Sequence, residues 1–199
     1  MHNNLSVLRK AALAALLVFG ITGCASMDAS YQMDADIMRM QHLKCMGAQI
    51  EKYHEKTGRY PLQGEFDAPA IVQIGTQRQL DASPYRASYR YYDVPPGKLH
   101  EELGEVLDDV CMPVDPQSFP TGVKPCLYVY MLTEDNYFFT VYLYHEYPFT
   151  KPVSKHTHFL QIGSKDYYNN TWMYEDLIKD AAFVNAISAP RWGGLPLVP

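Results

Sequence analysis

Residues 31–61, YQMDADIMRMQHLKCMGAQIEKYHEKTGRYP, decide the fold. Met33, Ile37, Met40, Leu43, Met46, Gly47, Ile50, Tyr53 and His54 recur at spacings of three and four, the period at which helical side chains return to one side. Asp34, Arg39, Gln41, Lys44, Glu51 and Lys52 fall mostly at the edges of that stripe or off it. The spacing predicts one long amphipathic helix whose apolar stripe needs a partner surface. Its end is marked more sharply than its start. Gly58 suits a left-handed cap, Lys56 and Arg59 sit favourably at the negative end of the helix dipole, and Pro61 forbids continuation while pushing Tyr60 to an extended conformation. Asp28 and Ser30 are alternative caps at the start.

Upstream, Arg9 and Lys10 precede an apolar run from Ala11 to Ile21, followed by Thr22, Gly23 and Cys24. A charged region, a short apolar region and a small-residue processing site make a secretory signal, too short to span a bilayer as a mature helix. The tetrapeptide Ile21-Thr22-Gly23-Cys24 resembles the bacterial lipoprotein signal, which implies cleavage after Gly23 and a lipidated Cys24 at the mature N-terminus. Several acyl chains, at about 0.8 kcal/mol per buried methylene, anchor far more firmly than one. Ala25 rather than Asp follows Cys24, which by the sorting pattern of such proteins implies the periplasmic side of the outer membrane.

Removing residues 1–23 from a chain of 199 leaves 176, enough for one core, and moves the formal charge from −5 to −7 by taking Arg9 and Lys10 away. An acidic mature protein argues against nucleic acid and against electrostatic adhesion to anionic lipid. The lipid, not charge, is then the contact with the membrane.

The run Ile50 to Pro61, IEKYHEKTGRYP, resembles the end of the first helix in type IV pilins and type II secretion pseudopilins, where a tyrosine-proline turn leads into the globular head. Val114-Asp115-Pro116, then Tyr128-Val129-Tyr130, an acidic turn and Tyr137 to Tyr144 are similar to the Asp-Pro loop and C-terminal strands of the same heads. The resemblance covers roughly residues 31–147 and implies a long helix packed on an antiparallel sheet. One departure matters. In a pilin the apolar segment follows the peptidase site and builds the fibre, whereas here it precedes Cys24 and is discarded, and Asp28 holds the place of the family's glutamate. The resemblance therefore implies a pilin-like head on a lipid tether rather than a polymerising subunit.

Three cysteines remain once Cys24 is lipidated, and in an oxidising compartment an odd number leaves one outside any intramolecular pair. Cys111 and Cys126 flank MPVDPQSFPTGVKP, whose four prolines prevent a strand ladder, so a Cys111–Cys126 bridge is expected, worth about 3 kcal/mol by chain entropy. Cys45 lies on the helix flank opposite the stripe as a free shielded thiol, a buried one on a second contact face, or an intermolecular bridge.

Between helix and cysteines, Tyr85 to Tyr92 is a candidate strand. Arg78, Arg86 and Arg90 lie among Tyr85, Tyr89, Tyr91 and Tyr92, a mixture usable for glycan stacking but read first as aromatic packing with solvated arginines. Gly97 to Val110 reads as a second helix, with Leu99, Leu103, Val106, Leu107 and Val110 on one side. Its carboxylates lack the alternation and glycine of a helix-loop-helix calcium site and read as a solvated face.

Cys126 to Leu132 and Tyr137 to His145 flank Thr133-Glu134-Asp135-Asn136 as a β-hairpin. Alternation sets Leu127, Val129 and Met131 against Tyr142, Thr140 and Phe138 on one face, with Tyr128 and Tyr130 against Val141 and Phe139 on the other. Both faces are apolar or aromatic. One should receive the long helix; the other is expected to be covered by the C-terminal segment, or else offered to a partner. Tyr128, Tyr130, Tyr142, Tyr144, Tyr85 and Tyr89 are the candidate binding residues.

Val153 to Ile162 is a further strand, with His156 and His158 on one side; with His145 they make a three-histidine set that no spacing brings together, so no metal is assigned. Asn170 or Thr171 caps a third helix over Trp172 to Ile187, carrying Met173, Leu177, Ala181 and Val184, and a Gly- and Pro-rich tail follows Pro190. No nucleophile elbow, phosphate loop, zinc-protease helix or paired-cysteine redox motif occurs, so no enzyme activity or cofactor is assigned.

The expected protein is of the α+β class: signal peptide 1–23, tether 24–30, pilin-like domain 31–164, and a C-terminal helical extension and tail 165–199 of the same domain. Its expected role is a lipid-anchored periplasmic interaction protein, accessory to a pilus or secretion apparatus, with an envelope protein as partner. A binder of envelope glycan or another small ligand is the alternative.

Overall fold

Gly58 adopts a left-handed backbone conformation, φ 73°, and donates its N–H to the His54 carbonyl at 2.8 Å. The first helix ends there because glycine carries no Cβ to clash in that region. This helix, α1 (Asn3–Thr57), belongs to a computed structural model that describes residues 3–64, 70–82, 91–93, 97–116, 127–155, 157–165 and 170–190, the backbone alone for 3–28 and 91–93. Beyond the cap, Leu62 has φ 63° and is buried. A non-glycine residue in that region costs about 1–3 kcal/mol. Two long-range bonds hold the turn against this cost: the Leu62 N–H donates to Glu102 Oε2 at 2.6 Å, and Tyr130 Oη donates to the Pro61 carbonyl at 2.9 Å.

The chain continues through β1 (Ala70–Ile74), α2 (Gln77–Ala82), β2 (Tyr91–Asp93), α3 (Lys98–Gly104), β3 (Tyr128–Leu132), β4 (Tyr137–Leu143), β5 (Lys151–Ser154), β6 (Thr157–Gly163), β7 (Trp172–Met173), α4 (Tyr174–Leu177) and α5 (Ala181–Ile187). The path β1-β3-β4-β6-β5 is antiparallel, but β2 lies parallel to β1 and β7 parallel to β6. The sheet is thus mixed rather than antiparallel throughout. The connection from β1 to β2 includes α2, long enough to return the chain for a parallel pairing. The central hairpin has the register that alternation predicts: Val129 opposite Thr140, Tyr130 opposite Phe139, Met131 opposite Phe138.

Ile37, Met40, Leu43, Met46, Ile50 and Tyr53 of α1 join Tyr128, Tyr130, Tyr137, Phe139, Val141, Leu160 and Ile162 in one buried cluster. Each such side chain contributes roughly 1.5–3 kcal/mol on leaving water. Met33, read as the first residue of the stripe, is 44 % exposed. Gly47 leaves no room for a side chain: a Cβ there would lie 2.5 Å from both Ile162 Cδ1 and Tyr174 Cδ2; Tyr174 Oη donates to the Lys44 carbonyl at 3.0 Å.

Residues 172–187 do not form the single helix expected. Trp172 and Met173 pair with Ile162 and Gly163 as β7, and the helix restarts at Asp180, whose carboxylate accepts from the Phe183 N–H at 2.9 Å. An aspartate satisfies the orphan donors of a new first turn better than it continues an old helix. Phe183 is fully buried, edge-on to Phe149 at 5.4 Å, and Gln41 donates to the Ile187 carbonyl at 3.0 Å. The C-terminal elements therefore sit beside α1, on its side of the sheet, and not over the opposite face.

Candidate functional site

Odd-numbered residues of β1 and β3, with the residues opposite them in β4 and β6, face away from α1. Register places Ile71, Met131 and Phe138 in one rung and Gln73, Val129, Thr140 and Gln161 in the next. Leu80 of α2 closes one end of this face against Leu127 and Val129, with Ile71 and Tyr142 packed beside them. The rest forms a groove of about 330 Å³ lined by Ile71, Val129, Met131, Phe138, Thr140, Tyr142, Val153, Phe159 and Gln161. Phe138 is its buried floor and Val153 its exposed rim. Its polar groups are ordered: Thr140 Oγ1 donates to Gln161 Oε1 at 2.9 Å, and Gln161 Nε2 donates to Thr171 Oγ1 at 2.7 Å.

The six candidate tyrosines separate. Tyr128 and Tyr130 are fully buried under α1, so they are core residues and not a binding surface. Tyr128 Oη lies 2.6 Å from His42 Nδ1, and burial pushes both phenols well above their ordinary range. Tyr142 is half-buried in the groove. Tyr144 lies past the end of β4, with the Arg39 guanidinium carbon 5.1 Å from its ring centre. Tyr85 and Tyr89 lie outside the described residues, as do the side chain of Cys24 and the whole of Cys126.

The cysteine expectation is corrected. Cys111 is bonded to Cys45, Cα atoms 6.3 Å apart, and not to Cys126. The pairing follows from where residues 105–116 go. Instead of extending α3, they lie along the flank of α1, held successively by Lys56 Nζ to the Val106 carbonyl at 3.0 Å, Gln49 Nε2 to the Asp109 carbonyl at 2.7 Å, and the Cys111 N–H to Gln49 Oε1 at 3.0 Å. That path delivers Cys111 to the exposed side of the helix, where Cys45 sits.

The same strap ends in a buried ion network. Arg39 is fully buried, with Nε and Nη2 donating to the two oxygens of Asp115 at 2.7 and 2.8 Å and Nη1 donating to Asp36 at 3.1 Å. Burial alone would push the guanidinium down; the Asp115 carboxylate, followed by Asp36, outweighs it and holds Arg39 above its ordinary value. Asp36 also accepts the Tyr144 N–H at 2.9 Å and the His145 N–H at 2.9 Å, and its Oδ2 is 2.9 Å from His145 Nδ1. That hydrogen bond raises the His145 imidazole against its partial burial. At the other end of α1, Glu102 accepts from Tyr53 Oη at 2.5 Å and pairs with Arg59 at 2.7 Å; burial and then Glu102 push the Tyr53 phenol up to about 12.

These clusters clamp loops onto α1, each charge answered by a partner within the fold. Among the described residues no group of three His, Cys, Asp or Glu is placed to hold a metal ion. His145 is committed to Asp36, His158 is buried opposite Leu143, and His156 lies outside the described residues. Sequence reading missed Ile71, Phe159 and Gln161 of the groove, because their place depends on which strands flank the hairpin. It also set Arg39 at the stripe's edge, since helical spacing does not see the strap. No protein-family model, curated protein or solved structure matches the chain.

Proposed function

We propose that this is a lipid-anchored, non-catalytic interaction protein of the cell envelope, accessory to a pilus or secretion machine, whose pilin-like head meets a protein partner through the sheet face turned away from α1. One observation carries the reading: the groove of about 330 Å³ through Met131, Phe138, Tyr142 and Phe159, on a sheet whose other face is buried. Apolar surface of this kind rimmed by polar groups is what interaction sites use. The signal-like run ending at Cys24 supports the anchor, and the helix running into the Gly58–Pro61 turn supports the pilin-like head. The engagement of Asp36, Arg39, Asp115 and Glu102 in internal pairs supports a non-catalytic role.

In-cell photocrosslinking from positions 142 and 159 tests this. Recovery of one envelope protein from both positions, lost in a Tyr142→Asp, Phe159→Asp variant that keeps its thermal transition, is expected. Failure to capture a protein from either position would overturn it. The groove's Thr140–Gln161 pair beside Tyr142 and Phe159 favours a second reading, an envelope glycan or small ligand stacked there, since ligand pockets begin at about 300 Å³. Glycan adducts in the same crosslinking would select it.

A further inference from the structure

We infer that the Cys45–Cys111 bridge is a redox-sensitive latch on the strap 105–116, and that its reduction opens the middle of the strap while both ends stay clamped. The ends and the middle are held by different physics. At one end the buried Glu102 carboxylate is bonded to Tyr53, Leu62 and Arg59. At the other, Asp115 is paired in two-pronged fashion with the fully buried Arg39, and Tyr31 Oη donates to the Pro116 carbonyl at 2.9 Å. Between them Leu107 is buried in the core, but residues 108–112 after it form no helix or strand, Asp108, Asp109 and Met112 are exposed, and the hydrogen bonds of this section to α1 come from Gln49. Side-chain bonds at the surface compete with water and hold weakly. The bridge is therefore the strong link of the middle section.

It is also reachable. Cys45 is exposed on the outer flank of the helix, whereas Cys111 is half-buried; exposed disulfides are the labile and regulatory kind. A dithiol supplies the chemistry. One thiolate attacks Cys45 Sγ and displaces the Cys111 thiolate, which takes a proton. The second thiol then attacks the reductant's own sulfur in the mixed disulfide and releases Cys45 as a thiol. Two electrons and two protons pass to the protein, and the dithiol becomes a cyclic disulfide. The freed section, residues 108–112, then lifts from α1 and uncovers the apolar side of Val110, which packs at the edge of the core.

Hydrogen exchange read by mass spectrometry on the full chain, oxidised and after native treatment with dithiothreitol, tests the latch. We expect exchange of peptides covering 108–114 to accelerate at least about tenfold, with β3 and β4 unchanged, and a Cys45→Ser, Cys111→Ser variant to reproduce the change without reductant. Four results would overturn the proposal: no change after alkylation confirms full reduction, acceleration throughout β3 and β4, failure of the double variant to fold, or reduction that requires denaturant.

Discussion

The two faces of the sheet are built from similar side chains and end in different states. Tyr128, Tyr130, Phe139, Val141 and Leu160 are sealed beneath α1, while Met131, Tyr142 and Phe159, one position away along the same strands, are half-buried around a groove. Hydrophobicity does not separate the two sets. What separates them is that α1, the 105–116 strap and the C-terminal helices all converge on one side, where buried ion pairs and backbone bonds hold them. The lesson is that an alternating apolar pattern says which residues share a face, and the covering elements decide which face is core.

The largest losses of stability are expected at the clamps. Removing the guanidinium with Arg39→Ala takes from buried Asp115 its two-pronged cationic partner and from Asp36 one of its donors, which should cost about 3–5 kcal/mol in urea denaturation. Substitution in the core face should be nearly as costly: Phe139→Ala, at a fully buried position, should lose roughly 3–5 kcal/mol. Equal losses for Phe139→Ala and Tyr142→Ser would abolish the distinction between the faces, since Tyr142→Ser should stay below about 1 kcal/mol. Between these lies Gly47→Ala, whose methyl would press on Ile162 and the Tyr174 ring and should cost about 1–3 kcal/mol, measured as a lower thermal midpoint.

The smallest expected effect is pH-dependent. His145 carries a raised pKa through its bond to Asp36. Its contribution is therefore fully present below the unfolded value of about 6.5 and fades as pH rises through the higher folded value. Because the side chain is 37 % exposed, solvent screening keeps the effect under about 1 kcal/mol. His145→Gln should flatten the stability profile across that window; an unchanged profile would show that Asp36 is held by Arg39 and the two backbone N–H donors without the imidazole.

Much of the architecture was legible in local pattern. Spacings of three and four marked the stripe from Ile37 to Tyr53, glycine and proline placed its end, and period-two alternation with a polar turn set the hairpin register to the residue. These are short-range properties, encoded by residues within a few positions of one another. The Cys45–Cys111 pair, the Arg39–Asp115 pair and the break at Asp180 were not legible in the same way. Two of them join residues 66 and 76 positions apart, and the third is a cap that competes with an otherwise acceptable helical stripe.

The groove shows the same division. Val129, Met131, Phe138, Thr140 and Tyr142 were on one face by alternation alone, whereas Ile71, Phe159 and Gln161 joined them only once β1 and β6 took their places beside the hairpin. Residue spacing by itself encodes the buried stripe of the first helix, the helix end, and the partition of the hairpin into two faces, because backbone geometry maps spacing directly onto direction. The start expected at Asp28 or Ser30, by contrast, is passed by a helix that runs from Asn3. Tertiary structure alone decided which face became core, which cysteine met Cys111 and which carboxylates buried Arg39, because each depends on where segments distant in the chain lose their water together.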